Sequence, residues 1–290
     1  MKPTLLLLLI ISILTGCKTS PKNKTGPADY DFTAAEKFNM PSSLLEISGV
    51  TISRQKPDTF YAIQDEEGKL FRFGWKETGK KESSKFGKSG DYEDLAIIGE
   101  TVFVLKSNGL IYSFALGDAI YEEIDSVYEW KGLLPKGGDF EYEGMYGDER
   151  DGKLYVICKS CKGNKKDETV SGFIFQAGTD ASVAPQASGT FEIDVETIKP
   201  FSGKVKNGFR PSGLARNPVT DEWYIISGVN KLLVVTGPDW KVKGAHHLSG
   251  NTFNQPEGIT FDKQGNLYIS NEGDDITDGN LLRFNLKPKR

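Results

Sequence analysis

The 290 residues carry 36 Lys and Arg against 40 Asp and Glu, a formal net charge of −4 with a pI near 5.5. That balance leaves no basic footprint, so nucleic acid is excluded as a partner held through bulk charge. The two histidines, His246 and His247, stand side by side on an expected outer strand, which removes Ser-His-Asp and Cys-His catalysis from serious consideration.

In chain order, Met1-Lys2, an apolar run from Leu5 to Leu14 and then Thr15-Gly16-Cys17 form the basic, apolar and small-residue regions of a secretory signal. The run is too short to span a bilayer comfortably. Leu14-Thr15-Gly16-Cys17 resembles the lipobox of bacterial lipoproteins, which implies a signal peptide over 1–16 and an acylated, palmitate-bearing Cys17 as the first mature residue. More than one acyl chain makes such anchoring stable. Lys18, where an Asp would retain the protein, implies sorting to the outer membrane. Residues 17–29, poor in apolar types, read as the acylated Cys and a flexible tether, and 30–290 as one folded domain.

Within that domain a short step recurs five times: Ser48-Gly49-Val50, Glu93-Asp94-Leu95, Glu143-Gly144-Met145, Ser212-Gly213-Leu214 and Glu257-Gly258-Ile259. Counted from the second residue, the intervals are 45, 50, 69 and 45. This is the period of a four-stranded sheet repeated around an axis, and it predicts an all-β, five-bladed β-propeller. Second strands follow at Phe60 to Ile63, Val102 to Leu105, Leu154 to Ile157, Trp223 to Ile226 and Leu267 to Ser270, all rich in aromatic and β-branched residues. Outer strands are expected at Glu82 to Phe86, Ala119 to Val127, Gly189 to Val195 and Lys243 to Leu248. Too little chain follows Phe284 for the last blade to have its own, so the ring should close with a strand from Tyr30 to Asn39. The 69-residue interval leaves a six-bladed alternative.

First strands lie innermost in a propeller. Glu93, Glu143 and Glu257 should therefore meet near the axis with the hydroxyls of Ser48 and Ser212, and the ends of the second strands add Asp65, Glu66 and Glu272. Carboxylates ~5 Å apart at an effective dielectric of ~20 repel by ~3 kcal/mol per pair. A divalent cation, a shared proton, or Lys106 and Lys159 would offset this. Oxygen-only ligands in an irregular ring suit calcium better than magnesium. The other reading has these acids capping backbone amides or facing a solvated channel.

The order of Ser and Glu steps, with Tyr61-Ala62-Ile63-Gln64-Asp65-Glu66 after the first and Gln255-Pro256-Glu257-Gly258-Ile259 opening the last, resembles the SdiA-regulated (YjiK-like) β-propeller family over Phe38 to Leu286. The resemblance implies a five-bladed propeller with a calcium site, distantly related to NHL-repeat proteins, strictosidine synthases, arylesterases and phytases. Carried over by position, the site falls on Glu93, Glu143 and Glu257, with Asp65 and Glu272 next. Asp94 departs from the expected Gly; a side chain there would narrow the channel mouth or offer a fourth carboxylate.

Cys158 and Cys161 are the thiols left once Cys17 is acylated, and in an exported protein an even remainder points to a loop-stapling disulfide, with a reduced or redox-active pair and a metal half-site as the alternatives. The acidic stretch Asn271 to Gly279 fits no EF-hand spacing and reads as a solvated turn. Lys80-Lys81 and Lys162 to Lys166 read as solvated loops, and Lys162 to Asp167 as a mobile lid. Lys106, Lys159 and Arg210 are candidate contacts for an anion at the channel mouth. These readings lead to a lipid-anchored, calcium-binding scaffold of the bacterial envelope whose partner is a protein or envelope ligand. The competing readings are a calcium-dependent hydrolase of a phosphate ester, ester or lactone, and a purely structural protein.

Overall fold

The structure, a computed structural model, describes residues 26–288 apart from 78, 80, 139, 162–167 and 206. The signal region, Cys17, most of the tether, Lys80 and the Lys162 to Asp167 loop therefore lie outside the described residues. Among the described residues, no helix is long and apolar enough to cross a membrane.

Twenty strands form five four-stranded antiparallel sheets. Blade one is β2 to β5 (Ile47–Ile52, Thr59–Gln64, Lys69–Gly74, Glu82–Lys85), and blade two is β6 to β9 (Tyr92–Ile98, Thr101–Lys106, Ile111–Ala115, Tyr128–Trp130). Blade three is β10 to β13 (Phe140–Asp148, Lys153–Cys161, Thr169–Gln176, Gln186–Asp194), and blade four is β14 to β17 (Gly213–Arg216, Trp223–Ser227, Leu232–Thr236, Val242–His247). Blade five takes β18 to β20 (Gln255–Phe261, Leu267–Glu272, Asn280–Phe284) and borrows β1 (Glu36–Asn39), which pairs with β20 from Glu36 opposite Arg283 to Asn39 opposite Asn280. The ring is a five-bladed propeller closed by its N-terminal strand, as the sequence predicts.

The middle strands are apolar on both faces because each blade is packed between two others; every residue of β15 and β16 is buried. Outer strands such as β5 and β13 are largely exposed. The core is accordingly divided among the five seams between successive blades. Phe103 and Val156 pack between blades two and three, Tyr155 and Trp223 between three and four, and Phe60 and Tyr268 between five and one, where the ring closes. In the seam between three and four, Trp240 stacks on Phe191 with centroids 3.6 Å apart and on Trp223 at 4.5 Å. Before β1, the Tyr30 hydroxyl donates to the Gly265 carbonyl (2.6 Å) and accepts from Asn217 Nδ2 (2.9 Å), fixing the approach of the closing strand.

One expectation is corrected and one alternative falls away. The outer strand of blade two is Tyr128–Trp130, not Ala119 to Val127; Leu116–Ile120 instead forms a 3-10 turn that buries Leu116 and Ala119, and Ser84 Oγ bonds its Ala119 carbonyl (2.8 Å). The 69-residue interval holds no sixth blade. It is filled by strands of nine, nine, eight and nine residues, a 3-10 turn (Val195–Thr197) and a short helix (Lys199–Ser202), with Val195 and Ile198 buried in the seam between blades three and four.

Candidate functional site

In four of the five innermost strands the ladder slips at the repeated step: in β2 between Ile47 and Val50, in β6 between Tyr92 and Asp94, in β10 between Tyr142 and Gly144, and in β18 between Pro256 and Ile259. A bulge leaves its extra residue unpaired and re-aims the side chain. Glu93, Glu143 and Glu257 are residues of this kind. In blade four Ser212 stands just before β14, and its hydroxyl donates to the Pro256 carbonyl (2.8 Å).

The second residue of the step lies where neighbouring innermost strands press together. A Cβ on Gly49 would stand 2.8 Å from Asp94 Cα, one on Gly213 would stand 2.5 Å from the Glu257 carbonyl oxygen, and one on Gly258 would stand 2.5 Å from the Ser48 carbonyl oxygen. Only a residue without a Cβ permits that approach. Asp94, the departure from the pattern, neither narrows the mouth nor joins the acids. Its buried carboxylate accepts from the Leu95 amide (2.8 Å) and the Met145 amide (2.7 Å), and so belongs to the packing between blades.

The five candidate acids share one field. Burial pushes Glu93 up to about 9, with Glu143, Asp91 and Glu257 adding repulsion. Burial likewise raises Glu257 to about 8, with Glu272 and Glu143 adding to it, and Glu143 to about 7 against the pull of Lys159. Asp65 is pushed up to about 7 by burial and by Glu46 and Glu272. Glu272 is raised by burial, while Gln255 Nε2 donates to it at 2.7 Å. Asp65 Oδ1 is buried with no hydrogen-bond partner.

Lys159 is a positive charge placed among these acids. Tyr142 pairs with Cys158 and Glu141 with Ser160, which leaves Lys159 as the extra residue of a bulge in β11. Cys158 and Cys161 on either side of it are joined as a disulfide. Its ammonium bonds Glu143 Oε1 and stands 3.3 Å from Glu141 Oε1. Burial works against the charged form, but the two carboxylates outweigh it and hold Lys159 above its usual range.

Lys106 lies over the Tyr92 ring at 4.9 Å from its centroid, and the Arg210 amide donates to Asn230 Oδ1 at 2.8 Å. The acidic stretch after β19 closes on itself, Asp274 Oδ1 accepting from the Ile276 (2.9 Å) and Thr277 (2.7 Å) amides. His246 and His247 end the outer strand β17. Glu46, Glu141, Asp91 and Lys231 belong to the neighbourhood but were not singled out from the sequence. Glu46 and Asp91 each precede a repeated step by two residues, and that shared offset was the available signal. Lys231 bonds the Asn254 carbonyl and feels Glu257, a placement that only the tertiary fold reveals.

Among the described residues, no three acidic, His or Cys side chains already stand in the arrangement of a metal centre. The donor set fits a hard cation in kind: oxygens only, buried or half-buried, mutually repelling, with one orphaned acceptor at Asp65. Lys159 supplies the counter-charge on Glu143.

With this geometry in view, the family comparison bears on the last two blades. Residues 203–274 match the SdiA-regulated family. The SdiA-regulated segment covers β14 to β19 and includes Ser212, Glu257 and Glu272, while Asp65, Glu93 and Glu143 lie before it. The match concerns that segment of the ring. No curated protein matches the chain in sequence. Solved structures similar to it include Myxococcus xanthus glutaminyl cyclase, with 13% identity, TM-score 0.55, and 88% of this chain and 97% of that one covered. A luciferin-regenerating enzyme aligns at 11% identity and TM-score 0.54 over 87% and 95% of the two chains. Regucalcin of Agrobacterium tumefaciens, a calcium-binding protein, aligns at 11% and 0.51 over 86% and 93%. At these identities the likeness is one of fold alone.

Proposed function

We propose that the acidic mouth of the propeller binds calcium, held by Glu93, Glu143 and Glu257 with Asp65 and Glu272 beside them. The ion organises that face as a binding surface for a protein or envelope ligand. The observation that carries this reading is the shared field of three carboxylates from blades two, three and five, buried Glu143 and half-buried Glu93 and Glu257, each raised by desolvation and by its acidic neighbours. The ion would supply the positive charge that Lys159 alone provides to Glu143, and Glu143 would exchange its ammonium partner for the metal. The calcium-binding regucalcin of similar fold lends general support. The lipid anchor on Cys17 and an outer-membrane location rest on Leu14-Thr15-Gly16-Cys17 and the apolar run before it. Incorporation of labelled palmitate into the wild type and its loss in Cys17→Ser test the anchor.

The test of the metal is thermal stability in calcium and in chelator. A ligand bound only by the native state at about a hundred times its Kd stabilises by ~2.7 kcal/mol. The wild type should gain stability with calcium and Glu143→Ala should lose most of that gain; an unchanged melting temperature in both would overturn the site.

Lys159 among the acids favours one second reading, a calcium-dependent hydrolase of a phosphate ester, ester or lactone. There Glu93, Glu143 and Glu257 would hold the ion, which would supply Lewis-acid polarisation of the substrate, and Lys159 would receive the anionic group. Turnover of phosphomonoester, aryl ester or lactone substrates that requires calcium and is lost in Glu257→Ala would select it over the binding role.

A further inference from the structure

At the end of the ring opposite the acids, a cavity of about 330 Å³ opens where the innermost strands finish. Every blade lends it a side chain: Ile52, Ile97, Tyr146, Arg216 and Phe261 lie at or within two residues of the ends of β2, β6, β10, β14 and β18. The cavity is therefore axial, a second mouth of the same channel.

Its polar wall is guanidinium. Arg150 Nε donates to Asp148 Oδ1 (2.9 Å) and its Nη1 to Asp221 Oδ1 (2.6 Å), while Arg216 donates to Asp148 Oδ2 (3.2 Å) and Asp221 Oδ2 (2.7 Å). Arg54 Nε stands 3.2 Å from Glu149 Oε2. The Asp148 side chain is only 1% exposed, so two of the three guanidinium groups are fixed from beneath. Arg216 Nε is buried and has no acceptor.

The fourth cation, Lys263, is matched by Asp262, whose carboxylate already accepts from the Gln264 and Asn266 amides, Asn266 Nδ2 and Tyr268 OH. Four cations thus face the four carboxylates of Asp148, Glu149, Asp221 and Asp262, and the mouth gathers nothing by bulk charge. The Arg150 and Arg216 forks are already filled by Asp148 and Asp221 and serve as a stiff wall, so what the mouth offers a ligand is the half-exposed Arg54 guanidinium, whose planar N–H edge matches a carboxylate. Ile52, Ile97, Phe261 and the Tyr146 ring supply an apolar remainder that inorganic phosphate would leave uncovered. The volume lies at the small end of ligand pockets.

We propose that this second mouth binds a small organic carboxylate with a flat apolar body. The site is independent of the calcium reading and stands or falls without it.

The test titrates benzoate into the full chain by calorimetry, with benzamide as the uncharged isostere and inorganic phosphate as the charge without the body. Benzoate is expected to bind saturably at one site. Benzamide and phosphate should be weaker by about tenfold. Arg54→Gln and Lys263→Gln, both exposed and leaving the Asp148 network intact, should weaken benzoate about fivefold and twofold at unchanged melting temperature. Glu143→Gln at the other mouth should leave it unaltered. Absence of saturable benzoate binding up to about 10 mM, the weakest expected for a ligand of this size, would overturn the proposal. Equal affinity for benzamide, or indifference to Arg54→Gln, would overturn it as well.

Discussion

The Asp94 carboxylate accepts a hydrogen bond from the Met145 amide at 2.7 Å, so a side chain of blade two holds the backbone of blade three. Its other oxygen serves the Leu95 amide and lies 2.5 Å from the point where Gly49 would carry a Cβ. Asp94→Ala strands two buried N–H groups, and each unsatisfied group costs ~1–3 kcal/mol. We expect a loss of ~2–4 kcal/mol by chemical denaturation, with the slope of the transition unchanged. Gly49→Ala should destabilise as well, because the atoms it meets include the Asp94 backbone. Wild-type midpoints in both variants would mean that this contact does not hold the blades together.

Stability should depend on pH through the acids of the mouth. Glu143 and Asp65 are pushed up to about 7, Glu257 to about 8 and Glu93 to about 9, above ordinary values of 4.5 for Glu and 3.8 for Asp. The folded state therefore holds these protons more tightly than the unfolded chain. Their contribution is complete below about pH 4 and is lost as the pH rises through about 7 to 9. In chelator, the melting temperature should fall over that window, and Glu93→Gln, neutral throughout, should fall less and melt about 2–4 °C higher at its upper end. A flat profile in the wild type would contradict the mutual repulsion of these groups.

Removing the internal cation tests the same cluster from the other side. Lys159→Met takes the ammonium from Glu143 and Glu141. Breaking a partly buried pair in this way should cost ~1–3 kcal/mol in chelator. If a divalent ion takes over the same role, calcium should restore more stability to Lys159→Met than it adds to the wild type. Equal gains would show that lysine and ion do not share a place.

The Cys158–Cys161 bridge closes a ring of four residues around Lys159. For so short a loop the chain-entropy contribution is about 2 kcal/mol. Cys158→Ser with Cys161→Ser should lower stability by about that amount and slacken the hold on Lys159, so that Glu143 titrates higher by NMR. Alkylation that labels both cysteines in unreduced, folded protein would refute the bridge.

The architecture was legible because one event recurs. The step marks a bulge in four blades and, where its second residue is Gly, a close approach of neighbouring strands that a Cβ would obstruct, so the period is written in the sequence. The closing strand was legible by elimination, from the shortness of the chain after Phe284. The outer strand of blade two was misplaced because Ala119 to Val127 offers apolar residues that serve a 3-10 turn as well as a strand; local pattern cannot separate the two. At the acidic mouth, the step residues could be read from position, but their supporting cast could not. Lys159, Lys106 and Arg210 look alike in sequence, and only the bulge in β11 turns the first of them onto Glu143. Asp94 misled for the opposite reason: a carboxylate beside carboxylates suggests a shared role, yet its neighbours are two amides.

The pairing of β1 with β20 joins Glu36 to Arg283. During synthesis β1 emerges long before β20, and it must wait without a partner until the four intervening blades have been made. Blades one to four can each fold as a local meander meanwhile, but the fifth is completed only by a contact of very high sequence separation, the kind that forms late and slowly. Truncated or stalled chains would carry an open ring with sticky edges at both ends, and quality control of this protein would have to recognise that unfinished circle.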